Sequence, residues 1–307
     1  MQKKLLIIGI GGLTGSKIAN LAKERYQIYG SYNLRNPNFE FANQFKMDLF
    51  DLNKIQQKIS EINPEIIINT TGINNVDYCE THQEHAQKIN VDALIEMKKI
   101  SAKNNIKLIQ LSSDSIFDGG KNESYVETDK ANPINFYGKT KLEGEKIILS
   151  NENNLVVRAS VLYGWLPENI SEFESSSKKS LNFVQWLITE LKNNRKVEIV
   201  KDEISSPIIV EDFARSILHL IELNEKGIFH AAPDLIINRF EFSKKIAEYL
   251  NLDTKLIFPT TIKKLGRKVS TGKNKSLNSK KLEKSGFDFL NLEESLELLE
   301  KQILASK

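Results

Sequence analysis

The stretch Asn132–Lys146, NPINFYGKTKLEGEK, sets Tyr137 and Lys141 four residues apart. On a helix such a pair shares one face. A phenol with a free pKa of about 10 is a poor acid–base group at neutral pH. A neighbouring ammonium favours the phenolate and brings it toward the working range. The spacing alone is weak, because in a lysine-rich chain with eight tyrosines about one Tyr-x-x-x-Lys arises by chance. What strengthens it is the segment before it, IKLIQLSSD, an apolar run ending in Ser112-Ser113. As a strand leading into the tyrosine helix, it would carry the Ser113 hydroxyl to the same rim, where it could hold a substrate oxygen.

The elements needed to place these groups can be read along the first half. LLIIG precedes a helical SKIANLAKERY; QIYGSY and KMDLF follow as strands, then a helical NKIQQKISEI. PEIIINTTG reads as a buried strand, HAQKINVDALIEMKKISAKNN as one long helix, and NLVVRASVLYG as the strand after the tyrosine helix. Alternating apolar strands and amphipathic helices predict an α/β fold, a doubly wound parallel sheet covered on both faces (a Rossmann-type sheet) with ligands at the carboxyl ends of its strands. Beyond Gly164 the pattern changes. ENISEFESSSKKS reads as an exposed loop; LNFVQWLITELKNN, SPIIVEDFARSILHLIEL, GIFHAA, RFEFSKKIAEYLNL and LEESLELLEKQIL supply further helices and short strands. A second, smaller α/β lobe is expected beside the sheet.

Gly9, Gly11, Gly12 and Gly15 follow the first strand, with Leu13 and Thr14 opening the helix. Glycines at these intervals allow a tight turn, close approach of a pyrophosphate and helix–strand packing, and the helix N-terminus favours phosphate. Dinucleotide binding is therefore expected, with Lys141 also available to the nicotinamide ribose. The second strand's end, YGSYNLRNPN, lacks the carboxylate that binds a ribose 2′-hydroxyl and carries Arg35. This favours NADPH over NADH, although Arg35 as a solvated loop residue is the alternative and NADH stays a second option. Asp48-Leu49 is placed to meet the adenine edge, or Asp48 caps the following helix. Thr70, Thr71 and Gly72 end the fourth strand close to the cofactor.

Composition excludes other classes. The 307 residues are 40% hydrophobic and 27% charged, and 43 basic against 40 acidic residues give a net charge of +3, so nothing pulls the chain toward nucleic acid. No apolar run approaches the roughly 20 residues of a membrane span, and no membrane or nucleic-acid partner is expected. One cysteine, Cys79, read as half-buried, fits a reducing compartment; a cytoplasmic protein is the simplest reading. The four histidines show no metal-ligand spacing, and His219 reads as structural. Trp165 could line a pocket and Trp186 reads as helix core. The lysines of Lys263–Lys284 either meet a diphosphate or form a solvated face.

The motifs GIGGLTG, INTTGINNVDYCE, INVDALIEM, LSSDSIFDGG, YVETDKANPINFYGKTKLEGEK, RASVLYG, SSPIIVEDFA and GIFHAAP occur in the order of an extended short-chain dehydrogenase/reductase. They most resemble the dTDP-4-dehydrorhamnose reductase group over nearly the whole chain. The resemblance implies a Ser113–Tyr137–Lys141 triad and a 4-keto nucleotide-sugar substrate. It also implies a dinucleotide-binding domain of 1–165 plus about 205–235, with a substrate lobe of about 166–204 plus 236–307. Asp114-Ser115 stands where the related dehydratases have Asp-Glu, which disfavours water elimination. Departures fall at Val161, where the group usually has Trp, at Ser115, where Tyr is common, and at Thr271-Gly272, where Arg-Pro is frequent. Leu277 and Lys281 keep the match. A regulatory subunit resembling the β subunit of methionine adenosyltransferase, and a nucleotide-sugar epimerase, are the alternatives. The sequence leaves oligomeric state open, a homodimer among the arrangements it permits.

Overall fold

The computed structural model describes residues 2–166, 182–266 and 269–306. Seven parallel strands form the central sheet in the order β11-β6-β5-β4-β1-β2-β3. They are β1 (Lys3–Ile8), β2 (Tyr26–Tyr32), β3 (Ala42–Lys46), β4 (Ile66–Asn69), β5 (Lys107–Ser113), β6 (Leu155–Ala159) and β11 (Gly227–Ala231). Winding reverses between β1 and β4, so a crevice opens at their carboxyl ends. Every residue of β4, Ile-Ile-Ile-Asn, is buried, as expected of a strand covered on both faces.

One face is covered by α1 (Leu13–Ala22) and α8 (Val210–Glu222), whose Ile18, Phe213 and Ile217 pack on Leu5, Ile7 and Val157. On the other face, α2 (Leu52–Ile62), α5 (Ala93–Lys103) and α6 (Phe136–Leu149) meet Leu6, Ile8 and Leu108 through Ile55, Met97 and Ile148. A separate apolar cluster joins α7 (Phe183–Lys192), α9 (Arg239–Tyr249) and α11 (Leu292–Ala305) to β7 (Leu162–Tyr163), β8 (Val197–Val200) and β13 (Ile257–Thr260). Two-stranded pairs β8–β13, β7–β10 (Ile208–Ile209) and β9–β12 (Ile204–Ser205 with Ile237–Asn238) complete this side. Among the described residues each non-glycine residue with positive φ is an asparagine, and Asn63, Asn105, Asn194, Asn224 and Asn251 follow helices. Asparagine is one of the few residues that tolerate this conformation, so here it serves where glycine commonly ends a helix.

Several sequence expectations are corrected. The third strand lies at Ala42–Lys46 and ends where KMDLF begins. The long helix around residues 83–103 is interrupted by a π-helical turn, Lys88–Asp92. NLVVRASVLYG breaks at Ser160-Val161, and β7 leaves the main sheet to pair with β10. Trp186 is 37% exposed rather than core, and Cys79 is fully buried. The serine-rich ENISEFESSSKKS lies outside the described residues. Among the described residues no helix is long and apolar enough to cross a membrane.

Buried ionic contacts tie α6 to the sheet. Arg158 of β6 donates from Nε and Nη2 to Glu145 at 2.9 and 2.7 Å. Its Nη1 lies 3.2 Å from His230 Nε2. Burial, then the Arg158 charge, hold His230 down to about 3, so this imidazole stays a neutral acceptor. Arg158→Met strands the Glu145 carboxylate and is expected to cost about 3–5 kcal/mol in chemical denaturation, most of it recovered in Glu145→Leu/Arg158→Met. A near-neutral Arg158→Met would contradict this.

Candidate functional site

The first glycine turn is shaped by close backbone approach. Gly9 has φ +90, and a Cβ there would stand 2.6 Å from Thr71 Cγ2 and 2.9 Å from Thr70 Oγ1. At Gly11 a Cβ would collide with the Arg35 carbonyl, and at Gly15 with that of Gly9. Gly12 caps α1 without a side-chain hydrogen bond, leaving the helix's first N–H groups open to an anion. Leu13 and Thr14 are half-buried in that first turn. Thr70 Oγ1 donates to the Ile8 carbonyl at 2.8 Å, fastening the end of β4 to the turn.

Arg35 is half-buried beside Gly11. Its Nε is buried without a hydrogen-bond partner among the described residues, and burial lowers the guanidinium to about 10. A cation short of partners at the end of β2 fits a phosphate. Asp48 is exposed and accepts from Phe50 N at 3.0 Å in a local turn; the cap of α2 is Asp51 instead, accepting from Lys54 N at 3.0 Å. Leu49 is buried.

Ser113, Tyr137 and Lys141 come together beyond the carboxyl ends of the strands. Asn135 caps α6, accepting from Gly138 N at 2.8 Å, and so fixes where the tyrosine turn begins. The Ser113 hydroxyl lies close enough to the Tyr137 phenol to pull its pKa downward. Lys141 is buried and donates to the Leu111 carbonyl at 2.5 Å. Its Nζ lies 4.0 Å from where a Cβ of Gly72 would stand. The same Leu111 carbonyl accepts from Gln110 Nε2 at 2.8 Å, and Gln110 Oε1 accepts from Asn69 Nδ2 at 2.8 Å. Asn69 Oδ1 in turn takes the Thr71 hydroxyl at 2.5 Å. One polar chain thus links the lysine to the switch point of the sheet.

The electrostatics differ from the sequence expectation. Burial, foremost, pushes the Tyr137 phenol well above its ordinary value; Ser113 lowers it, while Asp114 and Cys79 raise it. The Lys141 amine is turned toward the Leu111 carbonyl. Burial lowers Lys141 to about 8, against the pull of Glu145 and Cys79.

Two participants escaped the sequence reading. Asn90, in the π-helical turn, accepts from Ile73 N at 2.8 Å and donates to Ile73 O and Thr140 Oγ1 at 3.1 and 3.0 Å. It holds the Gly72 turn against α6, and a polar residue inside an otherwise amphipathic helix was its signal. Lys275 is the other, its ammonium 3.8 Å from Asp114 Oδ1. The lysine-rich segment is therefore divided: Lys275 enters the site, while Lys281 lies over the Phe229 ring and donates to the Ile228 carbonyl at 2.6 Å. Trp165 is 5% exposed. It is buried in the apolar cluster with α11, donating to Ser306 Oγ at 2.8 Å.

Because Lys141 holds protons less tightly in the fold than at its free value of 10.5, unfolding takes up a proton between about pH 8 and 10, and stability rises with pH there. The wild type is expected to gain on Lys141→Met by on the order of 3 kcal/mol from pH 7.5 to 10. Denaturant titrations at each pH check this; a constant difference would contradict it.

Residues 3–304 match the family model described as the RmlD substrate binding domain. A "probable low-salt glycan biosynthesis reductase" of Haloferax volcanii is 27% identical over 297 residues, 96% of each chain. Methionine adenosyltransferase 2 subunit beta of Xenopus tropicalis is 32% identical over 292 residues, 92% of this chain and 83% of that one. The crystal structure of dTDP-4-dehydrorhamnose reductase from Bacillus anthracis in complex with NADP superposes with a TM-score of 0.83 at 27% identity, covering 99% of this chain and 100% of that one. With its strand order, glycine turn and nearly full-length match, the chain belongs to the RmlD family of extended short-chain dehydrogenase/reductase-like proteins.

Proposed function

We propose that the chain is an NADPH-dependent reductase of the 4-keto group of a nucleotide-activated sugar, with NADH as a poorer substitute. The meeting of the Ser113 and Tyr137 hydroxyls beside the Lys141 amine carries this reading, and the family's reductase members support it. The glycine turn, the open N-terminus of α1 and Arg35 would hold the dinucleotide; when bound, its nicotinamide supplies the hydride. Ser113 would position the substrate oxygen, and Tyr137 would give it the phenolic proton as negative charge develops there. Burial keeps that phenol protonated at neutral pH, the form that reduction consumes. Lys141, still largely cationic at pH 7, would hold ribose hydroxyls and stabilise the phenolate left after proton transfer. The nucleotide domain would comprise 1–165 plus about 205–235, and the substrate lobe about 166–204 plus 236–307, the latter supported by its own apolar cluster.

The similarity to methionine adenosyltransferase 2 subunit beta favours one second reading, a regulatory subunit that binds the cofactor without turnover. Activation of a methionine adenosyltransferase catalytic subunit on mixing, with no NADPH oxidised, would select it.

An NADPH-oxidation screen across 4-keto nucleotide sugars tests the reductase reading. Tyr137→Phe is expected to lower kcat at least about 100-fold, with the Kd for NADPH within about twofold; an unchanged kcat would overturn it. Arg35→Ala is expected to weaken NADPH about tenfold and NADH hardly at all, by calorimetric titration; equal losses would remove Arg35 from phosphate recognition.

A further inference from the structure

The Ser113 hydroxyl proton is already engaged. A serine hydroxyl has one proton and two lone pairs. Its oxygen accepts from Ser115 N at 3.2 Å, while its proton goes to Asp114 Oδ1 at 3.0 Å. In this arrangement Ser113 has no proton left for a substrate oxygen. Asp114 is buried and well supplied: Ser115 Oγ donates to Oδ1 at 3.2 Å and Ser160 Oγ to Oδ2 at 2.8 Å.

Beside the same Oδ1 stands the Lys275 ammonium, 3.8 Å away, beyond hydrogen-bonding range. The residue is buried, and no hydrogen bond of its ammonium exists among the described residues. Its backbone, by contrast, is clamped. Lys275 N donates to the Ile204 carbonyl at 2.9 Å, and Ile204 N to Lys273 O at 2.7 Å. Asn274 Nδ2 reaches the carbonyls of Lys121 and Asn122 at 3.1 Å each. Nearby, Ser206 N donates to Ser160 Oγ at 3.3 Å, while the buried Ser206 Oγ has no hydrogen-bond partner among the described residues. An ammonium on a buried residue, without a hydrogen bond among the described residues and held by a fixed backbone within about an ångström of bonding distance, is placed to move.

We propose that Lys275 is a positioning residue that takes over the Asp114 oxygen when substrate arrives, freeing the Ser113 proton to donate to the substrate carbonyl. The assignment rests on the keto-reductase reading of this site. The ammonium closes on Oδ1 as the serine proton turns away, so the buried carboxylate never loses a donor. Asp114 then acts as the resting acceptor of the Ser113 proton, and Lys275 as its replacement.

The test is a double-mutant cycle on the 4-keto nucleotide sugar that the wild type reduces. Lys275→Met is expected to lower kcat about tenfold or more with KM for NADPH unchanged, and Lys275→Arg to recover most of it. In an Asp114→Asn background, whose neutral acceptor holds the serine proton less tightly, the further loss from Lys275→Met should fall to within about twofold. Lys275→Gln, which keeps N–H donors without the charge, serves in the same cycle if the methionine variant no longer melts cooperatively. Equal losses in both backgrounds, or full activity of Lys275→Met where Tyr137→Phe is inactive, would overturn the assignment alone. Absence of turnover by the wild type would instead overturn the reductase reading and this assignment with it.

Discussion

The bond from the Lys141 ammonium to the Leu111 carbonyl fastens helix α6 to strand β5. Through it, the element carrying the tyrosine is set against the element carrying the serine. The bond needs a buried charge, which the protein interior opposes, and the lowered value of about 8 records that cost. Two neighbours make the arrangement hold. Asn90 closes the Gly72 turn onto Thr140 of the same helix. One turn further on, Glu145 meets Arg158 of β6 in a fully enclosed pair. Tyr137, Lys141 and Glu145 thus lie successively along one face of α6, each engaging a different part of the sheet's rim.

The sheet itself was legible because its strands are short apolar runs between amphipathic helices, and because the glycine turn sits between the first strand and helix. That Ser113, Tyr137 and Lys141 would share a rim was legible for the same reason, strand end and helix start setting their positions. What resisted reading was tertiary. No local pattern marks Ser160-Val161 as the point where the chain leaves the main sheet for a separate pairing with Ile208–Ile209. Trp165 follows a strand end and so looked available to a ligand, yet the C-terminal helix covers it. Trp186 occupies an apolar-patterned helix but on its outer face. The upward push of burial on Tyr137 was not legible, because spacing shows proximity and not enclosure.

The lysine-rich tail shows how a departure from the family pattern acquires a physical meaning. Gly272, where Arg-Pro is frequent, has φ +75 and lies against the equally left-handed Gly119; a Cβ on Gly272 would stand 2.5 Å from the Asp118 carbonyl. Two backbones therefore pack directly on each other. From that crossing the chain runs through Asn274, bonded to the 121–122 carbonyls, to Lys275 beside Asp114. Tyr125 N and Ser276 O, 2.9 Å apart, and Asn278 N with Tyr125 O, 2.8 Å apart, continue the seam. A segment that composition alone would assign to solvent is in fact stitched into the loop after β5.

The central claim is that these groups serve a chemical step and not cofactor retention alone. Incubation with NADPH deuterated at the transferable C4 position, together with 4-keto nucleotide sugars, tests it most directly, with the product examined by mass spectrometry and NMR. Deuterium at the new carbinol carbon of the sugar is the predicted result. NADPH that binds tightly yet leaves every such sugar unreduced and unlabelled would contradict it.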